Sequence, residues 1–196
     1  MPHFRNCDLD RCTCDLKRYA VVAVIALLIL ALELLGGYVA GSLALLSDAA
    51  HVFDDFASLS LAVFIEYNVR KRGKDERLWR KVGAYADAAL LFAIAAFIGV
   101  EAIGRLIEPP RVVAGLVLPI AVVGAIGNLC QHWVVSQSEA NHLTQQGRVK
   151  HILSDLWASV AVIAGAIAML VTGWHWLDAA ISFGVAVWIA KQAIAL

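Results

Sequence analysis

Charged residues make up only 16% of this chain, and 16 lysines and arginines balance 16 aspartates and glutamates. A net charge of zero excludes the strongly basic surface by which many proteins bind nucleic acid. A low-complexity run, a heptad seam and a strand-rich tail are also missing, as are a His-Glu-x-x-His motif and a nucleophile elbow. These absences argue against a nucleic-acid-binding protein and against the common hydrolases.

Hydrophobic residues, in contrast, make up 61% of the 196 residues, and the mean hydropathy is +0.74. A soluble domain has about 45–50% apolar residues, so the excess indicates an integral membrane protein. At about 20 residues for each membrane span, the chain has room for roughly six spans and short loops. The predicted fold class is therefore all-α integral membrane, a six-helix transmembrane bundle.

Six apolar segments can be separated by their polar or proline-containing connections. Residues 108–111, Glu-Pro-Pro-Arg, separate the third segment from the fourth. Residues 136–148 form a polar connector before the fifth. Cys130 falls within the fourth segment and is expected to be a small core residue. The predicted spans are residues 19–38, 43–67, 82–105, 112–135, 149–171 and 176–196.

Two units are predicted along the chain, a polar head at residues 1–18 and a membrane domain at residues 19–196, with no soluble domain after it. The mixed charges of the head argue against a cleaved signal. Its three cysteines, Cys7, Cys12 and Cys14, leave two interpretations open. They could capture cytosolic metal as thiolates, or the head could be flexible and without such a role. A reducing cytosol argues against disulfides.

Lysine and arginine are distributed unevenly among the connections. Seven of them lie in residues 70–81, between the second and third predicted spans, whereas only Arg105 and Arg111 lie on the opposite side. The positive-inside rule then places residues 70–81 and both termini in the cytoplasm. An even number of spans independently requires both termini to be on one side.

The same motif, His-x-x-x-Asp, occurs in two predicted spans, as His51 with Asp55 and as His151 with Asp155. Residues four apart are separated by about 40° around a helix, so each pair shares a face. An ionised aspartate in the hydrocarbon core costs roughly 2.5–3.5 kcal/mol, which implies a partner or a function. If the two helices pack together, two imidazoles and two carboxylates suit tetrahedral Zn²⁺ at about 2.0–2.2 Å.

This set of ligands argues against some metal ions but does not select a single one. The absence of thiolate ligands argues against Cu(I), and the two imidazoles argue against Ca²⁺ and Mg²⁺. Co²⁺, Ni²⁺ and Cd²⁺ remain open beside Zn²⁺. The alternative, that His51 and His151 are ordinary histidines hydrogen-bonded across the bundle, is disfavoured because one spacing recurs in two spans.

Four further acidic residues are candidates for supporting roles. Asp48 lies one turn before His51 and could orient it, line the metal's path or lie at the outer mouth. Asp54 is further round the helix, with a cavity or packing role. Glu33 could line a vestibule or pair with a basic residue. Asp178 could support the site or cap the sixth span.

Two stretches resemble a known family. Residues 41–63, GSLALLSDAAHVFDDFASLSLAV, are similar to the second span of the cation diffusion facilitator family of zinc transporters, and residues 151–167, HILSDLWASVAVIAGAI, to its fifth. The resemblance extends over nearly the whole chain from Glu33 onward. Most members of that family have a cytoplasmic domain after the sixth span, and we expect none here.

The resemblance implies a multi-pass protein of the plasma membrane, the inner membrane in a bacterium, and in most cases a homodimer. It implies export of Zn²⁺, and of Cd²⁺ or Co²⁺ as alternatives, in exchange for H⁺, with no cofactor and no enzymatic reaction. The transport-site role then falls on four residues: His51, Asp55, His151 and Asp155. Two other interpretations stay open, a membrane-embedded metalloenzyme and a non-transporting metal-binding subunit.

Overall fold

A computed structural model describes residues 13–72, 75–136 and 142–195, without the side chains of residues 13–20, 70–72, 134–136, 142–155, Asp55 and several other single positions. Every regular element in these ranges is an α-helix. The helices are α1 (Thr13–Ala40), α2 (Leu43–Arg72), α3 (Glu76–Ile107), α4 (Ala114–Ser136), α5 (His142–Thr172) and α6 (Trp176–Ala195).

The helix boundaries agree with the predicted spans at the short turns between helices. The helices α2 and α6 begin at Leu43 and Trp176, the predicted positions. In contrast, α5 begins at His142, so most of the predicted polar connector, residues 136–148, is helical. The predicted start of the fifth segment, residue 149, was wrong as a helix boundary. Hydropathy reports contact with lipid, whereas an α-helix can continue through polar residues of high helix propensity.

Two groups of helices make up the bundle. The helices α1, α2, α4 and α5 form a ring, in which α4 packs against α1 and α5 while α1 packs against α2. The second group is the pair α3 and α6, which share the most extensive contact in the described structure. Since α2 contacts α1, α3, α5 and α6, residues on α2 can face both groups.

Three connections meet at one end of the bundle, the capped end, which comprises residues 41–42, 108–113 and 173–175. The amide of Val113 donates to the carbonyl of Ala40 at 2.9 Å, and the Arg105 guanidinium donates to the carbonyl of Gly41 at 2.7 Å. Gly41 has a φ of +67°, which favours glycine because it has no Cβ. The helices α1, α3 and α5 therefore end here, and α2, α4 and α6 begin here.

The core consists largely of small residues at helix–helix contacts. Ala44, Ala121 and Ala166 are buried where α2, α4 and α5 meet, and Ala95 and Ala186 are buried between α3 and α6. Small side chains let helix backbones approach closely in a membrane, where packing rather than the hydrophobic effect drives association.

Large apolar side chains cover much of the outer surface. Cys130 is one of the outward-facing residues of α4, so its expected core position was wrong; its helix buries the opposite face, at Ala121, Ala125 and Asn128. A search limited to the described residues finds four helical segments long and apolar enough to cross a membrane: Val21–Ala40, Arg77–Ile107, Ala114–Gln131 and Trp176–Ile194. The segment Leu156–Thr172 is a shorter apolar helix.

Candidate functional site

A cavity of about 580 Å³ lies between α2, α5 and α6. Its wall is mainly apolar and includes the rings of Trp157 and Trp188. Among the described residues on this wall, the ionisable side chains are Asp48 and His51, both from α2. An apolar cavity with a few converging polar groups is the usual form of a binding site for a small solute.

The carboxylate of Asp48 belongs to a chain of side-chain hydrogen bonds that connects three helices. Asp48 is 3% exposed, and its Oδ2 accepts a hydrogen bond from the Ser159 hydroxyl of α5 at 3.4 Å. The same hydroxyl oxygen accepts a hydrogen bond from the amide of Asn128 of α4, also at 3.4 Å. Asp48 therefore joins the cavity wall to a buried polar row that crosses α2, α5 and α4.

His51 follows Asp48 by one turn and is also buried. The other three predicted ligands have helical positions but no described side chains: Asp55 on α2, and His151 and Asp155 on α5. Among the side chains that the structure describes, no three of the His, Cys, Asp and Glu type come together in a metal-binding group. Of the four predicted ligands, only His51 is among these side chains.

Asp54 and Asp178 take positions that differ from that of Asp48. Asp54 is 5% exposed and is not among the described residues that line this cavity, so its cavity and packing interpretations both stay predictions. Asp178, from the first turn of α6, accepts hydrogen bonds from Ser42 and from the backbone of Leu43. It therefore caps α2, whereas the sequence suggested support of the site or a cap on its own helix.

Glu33 lies on α1 and is fully buried. Within the described part of the chain, neither of its carboxylate oxygens has a hydrogen-bond partner, and no basic residue pairs with it. It is not a described lining residue of the cavity. The two interpretations of Glu33 from the sequence, a vestibule residue and an ion pair, stay predictions.

The cysteines of the head fall mostly outside the structure's description. Cys7 and Cys12 precede its first described residue, and Cys14 lies in the first turn of α1 without a described side chain. Their expected role in metal capture stays a prediction.

Ser159 is a residue of this site that sequence reasoning missed. It follows Asp155 by four positions and His151 by eight, so it shares a helix face with both. That spacing was a signal in the sequence, although the partner of Ser159 on another helix was not visible there.

Comparison with known proteins identifies similar chains over most of this length. A family model described as the cation efflux transmembrane domain matches residues 19–196. The metal cation efflux system protein CzcD of Cupriavidus metallidurans is 37% identical over 168 residues, which cover 82% of this chain and 52% of that protein.

Two further relatives show the same pattern. The zinc transporter ZitB of Yersinia pestis is 32% identical over 183 residues, covering 90% of this chain and 59% of the relative. A protein of Bacillus subtilis named cadmium, cobalt and zinc/H(+)-K(+) antiporter is 32% identical over 168 residues, covering 82% and 54%. The chain thus spans between half and three fifths of the length of these curated relatives.

Proposed function

Because the chain belongs to the cation efflux family, a family of multi-pass integral membrane transporters, we propose that it exports divalent metal cations, with Zn²⁺ as the main substrate, in exchange for protons. The substrate-binding residues in this proposal are His51, Asp55, His151 and Asp155. The observation that carries it is the hydrogen bond between Ser159 and Asp48, because it brings the face of α5 that contains the second motif against α2.

The two helices run in opposite directions past this contact. The helix α2 begins at the capped end, where its first residues are held by Asp178. The helix α5 ends at the same end, where three residues separate it from α6. From the level of Asp48 and Ser159 toward the other end, residue numbers therefore rise on α2 and fall on α5.

Helix geometry then sets the levels of the four proposed ligands. With a rise of 1.5 Å for each residue, His51 and Asp155 lie about 4.5 and 6 Å from the level of the Asp48–Ser159 contact. Asp55 and His151 lie about 10.5 and 12 Å from it. Each imidazole position is thus level, within about 2 Å, with a carboxylate position on the opposite helix.

The angular positions support the same arrangement. Positions 151, 155 and 159 are four residues apart on α5, so they span an arc of about 80° that includes the residue contacting Asp48. On α2, positions 48, 51 and 55 fall within an arc of about 60°. Both motifs therefore lie on the helix faces that meet at Asp48.

Proton exchange follows from the chemistry of these ligands. Zn²⁺ binds neutral imidazole and ionised carboxylate, so its binding displaces protons. An acidic exterior would protonate the imidazoles and release the metal outward, and the protonated site would carry H⁺ inward. The cavity that reaches His51 between α2, α5 and α6 supplies a route for the ion, and access must alternate between its two ends.

The proposed topology has six spans, which adds α2 and α5 to the four helical segments identified by length and composition. The capped end faces outward in this topology, because the basic connection at residues 70–81 lies at the opposite end of α2. Both termini are then cytoplasmic. As in the family resemblance, we propose a homodimer in the plasma membrane, the inner membrane in a bacterium.

Metal flux into vesicles reconstituted with the purified chain tests the function. We expect Zn²⁺ uptake by the wild type that increases with an acid-inside pH gradient, and loss of uptake in Asp155→Ala. His175→Ala is the matched control, since His175 lies in the turn before α6 and outside the proposed ligand set. Uptake of Cd²⁺, Co²⁺ and Mn²⁺ in the same vesicles would define selectivity.

Three results would contradict parts of the proposal. Uptake that is indifferent to the pH gradient would remove proton coupling. Zn²⁺ binding without any flux would favour a non-transporting subunit. Uptake retained in Asp155→Ala would exclude the proposed set of metal ligands, although transport itself would be established.

A further inference from the structure

Glu33 is an ionisable side chain that is fully buried. It is the only charged residue of the apolar segment Val21–Ala40, its exposed fraction is 0%, and within the described structure its two oxygens have no hydrogen-bond partner. An ionised carboxylate without a partner is strongly disfavoured in an apolar interior. A protonated carboxyl group avoids the cost of burying the charge.

A glycine on the neighbouring helix makes space for this carboxyl group. A Cβ atom placed on Gly124 of α4 would lie 2.2 Å from Glu33 Oε1, closer than nonbonded atoms approach. The niche between α1 and α4 therefore accommodates the carboxyl group because residue 124 has no side chain. A larger residue at position 124 would require the carboxyl group of Glu33 to move.

The two helices that pack against α1 differ in their charged residues. They are α4 and α2. Residues 114–131 of α4 contain no charged residue, so they supply no counter-charge to Glu33. On α2, Asp48 and His51 are buried and line the cavity.

We propose that Glu33 is a proton-binding site of this protein, separate from the four metal ligands. In the uptake step the carboxylate of Glu33 accepts one proton from the aqueous phase and becomes a carboxylic acid. No other bond changes. The use of this proton as a coupling ion rests on the proposed transport function, whereas the binding of the proton does not.

Infrared spectroscopy of the purified chain tests proton binding without any transport measurement. A buried carboxylic acid has a C=O stretching band distinct from the bands of ionised carboxylates. We expect a band in the wild type that diminishes as the pH is raised and that is missing in Glu33→Gln, which keeps the shape of the neutral acid. In Glu101→Gln the band should persist, because Glu101 is exposed and paired with Arg105 at 2.9 Å. An unchanged band in Glu33→Gln, or a band that does not respond to pH, would overturn the proposal.

Vesicle transport then tests the coupling. We expect Glu33→Gln to take up Zn²⁺ down a metal gradient but to lose the acceleration by an acid-inside pH gradient, while Glu101→Gln keeps it. Wild-type acceleration in Glu33→Gln would overturn the coupling role. If the wild type itself shows no flux, the transport function fails, and the infrared result still decides whether Glu33 binds a proton.

Discussion

The hydroxyl of Ser42 donates a 2.6 Å hydrogen bond to the carboxylate of Asp178, a residue 136 positions later in the chain. Both groups are buried. The bond fixes the start of α2 against the start of α6, so the helix that contributes His51 to the cavity is held at one end by the helix that forms the opposite wall.

We expect Asp178→Ala to lower the thermal stability of the purified protein in detergent. The change removes a capping acceptor, worth about 0.5–2 kcal/mol, and leaves a buried hydroxyl and a backbone amide without their acceptor, at about 1–3 kcal/mol for each group. The control is Asp75→Ala, which removes the cap of α3 at an exposed position. Equal loss of stability in the two variants would contradict the buried cap.

The space at Gly124 supplies a second test. Alanine in a helix interior is favoured over glycine by about 1 kcal/mol, so a helical glycine with open space should tolerate or gain from this change. Gly115, also in α4, is the control, because a Cβ atom added there would meet no atom of the described structure within 4 Å. We expect Gly124→Ala to destabilise the protein and Gly115→Ala to leave it unchanged or stabilised, as measured by thermal unfolding. A stabilising Gly124→Ala would show that Glu33 does not occupy this niche.

The affinity for Zn²⁺ should fall as the pH is lowered. Protons compete with the metal for the imidazoles, which titrate near 6.5 when unperturbed, so binding is strongest when they are neutral and is lost as they become charged. Metal binding measured at a series of pH values should therefore show a weaker pH dependence in His51→Ala than in the wild type. An affinity independent of pH between about 5 and 8 would exclude histidine ligands.

Hydropathy and turn chemistry predicted much of the fold. The boundaries at Leu43 and Trp176 follow short connections that contain Gly41 and Gly173, both with positive φ. The polar start of α5 and the outward face of Cys130 were missed for related reasons. A helix with a polar end extends beyond its apolar part. An apolar residue in a membrane helix can face lipid as readily as the core.

The site was predictable to the extent that it is local in sequence. The spacing of each motif places a histidine and an aspartate on one helix face, and the family match confirms the expected family. Contacts between helices, such as Asp178 with Ser42 and Ser159 with Asp48, depend on how distant segments pack. The space for the carboxyl group of Glu33 depends on Gly124, 91 positions away in another helix, whereas the sequence suggested a vestibule residue or an ion pair.

The central claim is that one ion is shared by the two motifs, and X-ray absorption at the zinc edge tests it most directly. For the Zn²⁺-loaded protein we predict a first shell of nitrogen and oxygen at about 2.0–2.2 Å with scattering from two imidazoles. Each of His51→Ala and His151→Ala should remove one imidazole. A spectrum unchanged by either substitution would show that the two helices do not bind a common ion.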